Sequence, residues 1–218
     1  FPGCEAVLDV IYNPARTRLM LDAEARGIPA FGGLLMLVEQ ARRAAEIFTG
    51  RSIDAALSDR LTGRLARETQ NIALIGMPGC GKTTVGRALA ALLGRPFYDV
   101  DGQIEARAGM GIPDIFARQG EKAFRALETR TLAELSRESG AVLATGGGVV
   151  TRSENRDLLR QNSTVVWLRR DIGSLPLTGR PVSQRTPLDR LAAERTPLYR
   201  AWSDFALDVC GPEETARA

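Results

Sequence analysis

The sequence predicts an α/β fold in which a parallel sheet is covered by helices on both faces. From residue 71 onward, short apolar segments alternate with longer segments of helical periodicity. This alternation is typical of strands that are buried between two layers of connecting helices. The first apolar segment also runs into a glycine-rich turn, NIALIGMPGCGKTT, and a helical pattern follows directly. Together these observations favour a P-loop NTPase-type sheet.

The elements after residue 70 are placed by their apolar periodicity and by the glycine and proline residues that end them. The predicted strands cover residues 71–76, 96–100, 141–145, 164–168 and 205–209. The predicted helices cover residues 82–93, 102–138 in more than one piece, 153–160 and 187–203, and the closing PEETARA has the pattern of a helix start. Residues 71–218 are therefore expected to form one domain.

The first 70 residues have a different pattern. Residues 1–50 contain a predicted strand and two predicted helices, which cover residues 6–11, 14–26 and 34–48. Residues 51–70 are polar and rich in arginine, and we interpret them as a linker with some helical character. Because the chain begins with phenylalanine, we expect it to be a fragment or a processed product of a longer chain.

Composition excludes several classes of function. The chain has 218 residues, 44% of them hydrophobic and 25% charged, which is ordinary for a globular protein that can bury a core. No apolar run approaches the ~20 residues that a membrane span needs, and no secretory signal pattern opens the chain. The absence of histidine excludes imidazole bases and ligands. The chain is thus expected to act away from membranes.

Charge and cysteine content narrow the partners further. The net charge is +3, but the arginines are dispersed among acidic residues, so we expect no nucleic-acid partner. The three cysteines, Cys4, Cys80 and Cys210, are widely spaced and suggest no metal site. An odd, scattered set fits a reducing cytoplasm better than a disulfide framework.

The glycine-rich turn carries the most specific signal. It reads G-x-x-x-x-G-K-T from Gly76 to Thr83, and its backbone N–H groups are expected to converge on a phosphate at a helix N-terminus. Lys82 can reach the β- and γ-phosphates, and the Thr83 hydroxyl can ligate Mg²⁺. The residues expected to bind nucleotide in this segment are Gly79, Cys80, Gly81, Lys82, Thr83 and Thr84. Cys80 is interpreted as a small residue that fits the loop, or alternatively as a thiol whose modification blocks ATP.

Two carboxylates follow the second strand of this domain, in FYDVDGQIE. Asp99 and Asp101 lie at the carboxyl edge of the sheet, where α/β folds bind ligands. If the strand continues, their spacing directs both side chains to one side, Asp99 toward Mg²⁺ and Asp101 toward an acceptor hydroxyl. The alternative is that Asp101 is only the N-cap of the next helix.

Further candidates follow along the chain. Arg125 and Glu128, three residues apart in KAFRALETR, form either a surface pair or an arginine held ready for a substrate carboxylate. Gly146 to Gly148, after an apolar strand, indicate either a ligand lying against the main chain or a flexible loop. Arg180 lies in a polar segment between a strand and a helix, as in a lid that closes over phosphates, and Arg195 could face the same pocket.

Taken together and in order, these motifs resemble those of shikimate kinases. The resemblance runs from about Asn71 to the end of the chain and depends on GMPGCGKTT, FYDVD, FRALE, TGGG, GRP and ERTPLY. It implies phosphorylation of the 3-hydroxyl of shikimate by Mg-ATP, by a kinase that we expect to be monomeric. The catalytic residues that it implies are Asp101, Lys82 and Arg180. Shikimate would be bound by Asp101, Arg125, Gly147 and Arg195, and the metal by Thr83 and Asp99.

Residues 1–50 are similar instead to the C-terminal end of shikimate dehydrogenases, through DVIYNPARTRLMLDAEARG and GGLLMLVEQARRAAEIFTG. In that family the residues that match Tyr12 and Gln40 lie near shikimate. The catalytic Lys-Asp pair of those enzymes belongs to an upstream domain, so we expect no dehydrogenase activity. The resemblance implies a parent chain in which a dehydrogenase domain is fused to the kinase.

Two other readings of the kinase part stay open at this point. One is a different small-molecule kinase of the same fold, such as a gluconate or nucleoside monophosphate kinase. The other is a catalytically impaired nucleotide-binding module that supports a fused dehydrogenase.

Overall fold

Five parallel strands form the central sheet, and two short strands form a separate one. The computed structural model describes residues 2–171, 173 and 187–218. The strands are β1 (Val7–Leu8), β2 (Ala30–Phe31), β3 (Asn71–Ile75), β4 (Phe97–Asp99), β5 (Val142–Ala144), β6 (Ser163–Arg169) and β7 (Phe205–Asp208). The central sheet has the order β4-β5-β3-β6-β7 with all pairs parallel. The predicted α/β fold is confirmed.

Helices connect these strands and cover both faces of the sheet. They are α1 (Arg18–Glu24), α2 (Leu34–Thr49), α3 (Ala56–Thr69), α4 (Lys82–Leu93), α5 (Val100–Ala108), α6 (Ile112–Leu135), α7 (Ser153–Asn162), α8 (Leu188–Trp202) and α9 (Pro212–Arg217). A 3-10 turn covers Val149–Thr151. Helix α6 is kinked at Gly120, whose φ of 80° and ψ of 171° are not helical. None of the helices in the described ranges combines the length and the apolar character that a membrane crossing requires.

The core lies against the middle strand β3. Ala73, Leu74 and Ile75 are almost fully buried there. A parallel strand that is covered on both faces buries successive side chains and not only alternate ones, which is why NIALI contains a continuous apolar run. The strand ends at Ile75, so the glycine-rich turn that begins at Gly76 leaves the core at the carboxyl edge of the sheet.

The sequence-based expectations for the first 70 residues differ in detail from the structure. The segment expected to be a linker with some helical character forms the helix α3 over most of its length, and Arg42 of α2 donates to the carbonyl of Ile53 just before that helix. The strand expected over residues 6–11 is limited to two residues. The helix expected from residue 14 begins at Arg18, because the hydroxyl of Thr17 accepts the N–H of Met20 and caps the helix there.

The N-terminal segment contacts the rest of the chain through α7. The backbone N–H of Arg16 donates to the carbonyl of Gln161 at 2.8 Å, which satisfies one of the acceptors that a helix C-terminus leaves open. The side-chain oxygen of Asn162 accepts the N–H of Ala15 at 3.4 Å. Charge pairs extend this contact along α7 and join Arg18 to Asp157 and Glu24 to Arg160. Residues 15–24 are therefore docked on α7.

Candidate active site

A cavity of about 620 Å³ lies where β3, β4 and β5 end. This is the edge at which parallel α/β sheets bind ligands, and the volume suits a small molecule. The side chains and backbone that line it include those of Gly79, Gly81, Lys82, Thr83, Thr84, Asp99, Asp101, Arg125, Glu128, Gly146, Gly147, Gly148, Arg170 and Arg195. Most of the predicted site residues are therefore brought to one place.

The glycine-rich turn wraps tightly over the N-terminus of α4. Gly76, Gly79 and Gly81 have φ values of 144°, 86° and 104°, which other residues rarely adopt. The ammonium group of Lys82 lies under the turn and donates to the carbonyls of Gly76 at 2.9 Å and Met77 at 3.0 Å. The turn and its lysine thus form one compact cationic surface at the positive end of a helix.

Cys80 differs from its neighbours in the turn. Its side chain is fully buried and does not line the cavity, whereas Thr83 and Thr84 do. The thiol lies 3.8 Å from the ammonium nitrogen of Lys82, on the core side of the turn. Such a position agrees with a small residue that fills the space beneath the loop.

Asp99 occupies the N-cap that the sequence had offered to Asp101. Its Oδ1 accepts the N–H groups of Asp101 and Gly102 at the start of α5, and its Oδ2 accepts the hydroxyl of Thr83 at 2.7 Å. The strand ends at Asp99, so the condition under which both side chains would point to one side, a strand that continues to Asp101, is not met. Both carboxylates still line the same cavity, because the first turn of α5 directs Asp101 into it.

Asp101 is placed where ionisation is unfavourable. Its Oδ1 is buried and has no hydrogen-bond partner among the described residues. Burial, and then the neighbouring carboxylates of Glu128 and Asp99, raise the pKa of Asp101 to about 6. The positive charges of Lys82 and Arg125 lower the pKa of Asp101 and partly offset this rise. A carboxylate that is short of hydrogen bonds beside a phosphate-binding turn is suited to accept one from a substrate hydroxyl.

Arg125 and Glu128 form a buried pair. Arg125 is 8% exposed and Glu128 is 0% exposed, and the Nη1–Oε2 distance is 2.8 Å. Burial raises the pKa of Glu128, and Arg125 beside it opposes that effect. Glu121 adds a longer contact to the same guanidinium, at 3.2 Å. The pair holds the arginine against the cavity in a way that a solvated surface pair would not.

The three glycines allow three close approaches to the backbone. A Cβ atom at Gly146 would lie 2.6 Å from Oε1 of Glu128, and one at Gly147 would lie 2.6 Å from Pro78 of the glycine-rich turn. One at Gly148 would overlap the guanidinium of Arg125. Each glycine therefore gives space to a different part of the site.

Arg195 reaches the same segment from α8. It is 5% exposed, and its Nη1 donates to the carbonyl of Gly147 at 3.1 Å. Tyr199, one helical turn later, donates its hydroxyl to the same carbonyl at 2.5 Å. Arg195 and Arg125 therefore line the same cavity, as the sequence predicted.

Some features of the site were not predicted from the sequence, and one predicted segment is not among the described residues. Arg180 and the lid that the sequence predicts around it lie outside the described residues. Arg170, which lines the cavity, was not singled out, although its position just after β6 is the signal that could have found it. The roles of Gly148 and Tyr199 had no local signal, since their partners are distant in sequence.

Comparison with known proteins agrees with this geometry. The family model for shikimate kinase matches residues 78–216. Curated shikimate kinases from Ralstonia nicotianae and Burkholderia lata are 44% and 46% identical to the chain over 151 residues, which is 65% of this chain and 80% and 82% of theirs.

Solved structures give the same result. A shikimate kinase from Acinetobacter baumannii in complex with shikimate is 37% identical with a TM-score of 0.63, and it covers 71% of this chain and 92% of its own. A shikimate kinase from Aquifex aeolicus is 34% identical with a TM-score of 0.60, and the match covers 67% of this chain and 91% of that one. On the family match and on these identities, the chain belongs to the shikimate kinase family.

Proposed function

We propose that this chain transfers the γ-phosphoryl group of ATP to the 3-hydroxyl of shikimate. The observation that carries the proposal is the single cavity at which the Lys82 turn, the Asp101 carboxylate and two buried arginines meet. The turn suits a nucleotide phosphate, the carboxylate suits a hydroxyl, and the arginines suit a carboxylate. Shikimate carries a hydroxyl and a carboxylate, which are the groups that Asp101 and the two arginines would bind.

Arg125 and Arg195 are proposed to hold the substrate carboxylate. Both are nearly buried, and each is oriented by a contact within the chain, Arg125 by Glu128 and Arg195 by the Gly147 carbonyl. An arginine that is held in this way loses little side-chain entropy when it binds an anion. The backbone of Gly147 would pack against the substrate.

Asp101 is proposed to orient the hydroxyl that receives the phosphoryl group. Since an alcohol is a far weaker acid than a carboxylic acid, Asp101 does not remove the proton in the ground state. It accepts the hydrogen bond of the hydroxyl and takes the proton late, because a loose transition state needs little nucleophilic push. Lys82, together with Arg180 of the lid, would neutralise the charge on the transferred group.

Thr83 and Asp99 would hold Mg²⁺. A hydroxyl and a carboxylate that are 2.7 Å apart beside the phosphate-binding turn are hard oxygen donors, and they fit an ion that also keeps water and phosphate ligands. No larger cluster of acidic residues or cysteines that could hold a metal occurs in the described parts of the chain. When bound, the ion would neutralise charge between the β- and γ-phosphates.

The first test is ADP formation from Mg-ATP with and without shikimate. We expect shikimate-dependent turnover, and we expect Asp101→Asn to lower kcat by at least about 100-fold, because an amide oxygen can accept the hydrogen bond of the hydroxyl but cannot take its proton. Gluconate and nucleoside monophosphates serve as alternative acceptors in the same assay. Turnover with one of these and not with shikimate would contradict the proposal, and ATP binding without any turnover would favour a nucleotide-binding module.

Residues 1–50 are proposed to derive from the C-terminal end of a shikimate dehydrogenase, fused to the kinase through residues 51–70. The parallel pair of β1 and β2, with α1 between them, has the layout of the last part of a Rossmann-type sheet. Tyr12 and Gln40 are exposed and do not line the described cavity. The sequence contains no lysine before Lys82, so the catalytic Lys-Asp pair of that family is not in this segment.

We therefore expect no NADP⁺-dependent oxidation of shikimate by this chain. The measurement is absorbance at the wavelength of reduced nicotinamide, with shikimate and NADP⁺ and with a genuine shikimate dehydrogenase as the positive control. A rate above the blank would contradict the assignment.

The cytoplasmic location and the monomeric state of the kinase stay predictions from the sequence.

A further inference from the structure

Tyr199 is fully buried but carries a polar group into the site. It is 0% exposed, lies on α8, and its ring stacks near that of Trp167 with 6.1 Å between centroids. Its hydroxyl donates to the carbonyl of Gly147 at 2.5 Å. A buried tyrosine needs a partner for its hydroxyl, and here the partner is the backbone of the glycine triplet.

The Gly147 carbonyl is shared by two donors. Arg195 donates to it at 3.1 Å from the same helix, so both lone pairs of the oxygen are used. Because a peptide group is planar and trans, fixing this carbonyl also fixes the N–H of Gly148 on the opposite side. Gly148 in turn lies against the guanidinium of Arg125. One peptide group therefore links the two arginines of the cavity.

We propose that Tyr199 is a positioning residue for shikimate, which acts by holding the 147–148 peptide group and, through it, Arg195. This inference rests on the proposed phosphorylation of shikimate. Tyr199 does not line the cavity, so it acts without touching the substrate. Burial raises the pKa of its hydroxyl, which therefore remains a donor at all ordinary pH values.

The loss of the Tyr199 hydroxyl should weaken the binding of shikimate and not that of ATP. Without the hydroxyl, the Gly147 carbonyl keeps only the donor from Arg195 and can rotate, and the arginine can follow it. The phosphate-binding turn is held by other contacts, such as that of Lys82 with Gly76, which do not include Tyr199. Nucleotide binding should therefore be preserved.

The test is Tyr199→Phe in the full chain, with Tyr98→Phe as the matched control. The substitution keeps the ring and removes only the hydroxyl, and Tyr98 is a half-buried tyrosine of β4 whose hydroxyl makes no hydrogen bond with the described residues. We expect the KM for shikimate to rise about tenfold in Tyr199→Phe, because the variant loses one part-buried hydrogen bond. The KM for ATP should stay within about twofold. Tyr98→Phe should change neither constant.

KM does not depend on the fraction of folded enzyme, so partial unfolding of the variant would not obscure the result. An unchanged KM for shikimate, or an equal rise for both substrates, would overturn the inference. If the unsubstituted chain shows no shikimate-dependent turnover, the proposed function itself fails, which is a separate outcome.

A double-mutant cycle distinguishes positioning through Arg195 from general packing. We expect Tyr199→Phe to raise the KM for shikimate much less in an Arg195→Lys background, because the group that it positions has already been changed. Fully additive effects of the two substitutions would show that Tyr199 does not act through Arg195.

Discussion

At Asp101, burial and two neighbouring carboxylates act together on one carboxyl group. They raise its pKa from 3.8 to about 6, so the folded protein binds this proton more tightly than the unfolded chain does. A raised carboxyl pKa means that its contribution to stability is fully present below pH 3.8 and is lost as the pH rises through 6. The site thus keeps an acceptor for a hydroxyl at a cost in stability near neutral pH.

Asp101→Asn should therefore stabilise the protein at high pH. In metal-chelated, nucleotide-free protein we expect its free energy of unfolding at pH 8 to exceed that of the unsubstituted chain by about 3 kcal/mol, since one pKa unit corresponds to about 1.4 kcal/mol and the shift is about two units. The gain should shrink toward pH 4. Urea unfolding at the two pH values measures it, and a gain that is the same at both would contradict the pKa shift.

At the scale of elements, helix α4 is held close to the sheet by a glycine. A Cβ atom at Gly86 would lie 2.7 Å from the ring of Phe97 and 3.2 Å from Leu74. This close approach sets the distance of the phosphate-binding helix from β3 and from β4, the strand that carries Asp99. The glycine is thus required by packing and not by a turn.

Gly86→Ala should destabilise the protein although alanine is the better helix former. The gain in helix propensity is about 1 kcal/mol, but forcing a methyl group into a packed core costs about 1–3 kcal/mol. Gly63→Ala in α3 is the matched control, because a Cβ atom there meets only the end of Arg67 at 3.7 Å. We expect a lower Tm for the first variant and a higher Tm for the second, and a rise for both would refute the packing argument.

The regular elements were largely predictable because their signals are local. Helix α4 was placed to the residue by the turn before it and by Gly94 after it. Helix α3 was expected only as a linker with some helical character, because its 14 residues contain few apolar side chains. The link between α2 and the residues just before α3 depends on Arg42, which no local pattern reveals. The alternative that made Asp101 the N-cap placed the cap two residues too late, because the sequence does not show where the strand ends.

The site was predictable as a set of residue types but not as a geometry. The turn, the two aspartates and the two arginines each carry a motif. That Arg125 and Glu128 are buried together, or that Tyr199 reaches Gly147 across 52 positions, depends on packing between distant segments. Such contacts leave no periodic pattern in the sequence from which they could be predicted.

At the scale of the whole molecule, α7 joins the two parts of the chain. Its first turn contacts the residue that follows the three glycines 146–148, since Asn155 donates to the carbonyl of Val149 at 2.8 Å. Its last turn receives the N-terminal segment, and Arg160 lies 3.1 Å from Glu24. The N-terminal segment therefore contacts the kinase part at a helix that starts beside the active site.

Reversing one charge of this pair should weaken the contact, and reversing both should restore it. We expect Glu24→Arg and Arg160→Glu each to lower the free energy of unfolding by about 0.5 kcal/mol, the usual value for a partly exposed ion pair. The double variant should recover most of that loss. Chemical unfolding gives the cycle, with hydrogen exchange in α7 as a local readout. Losses that simply add in the double variant would contradict a direct contact.

The docking of residues 15–24 on α7 also has a consequence for the evolution of such chains. A substitution on one side of the contact changes which residues are tolerated on the other, so the two segments cannot diverge independently. Among relatives that carry both parts, positions 24 and 160 should exchange their charges together. Relatives with only the kinase part should be free to vary at position 160.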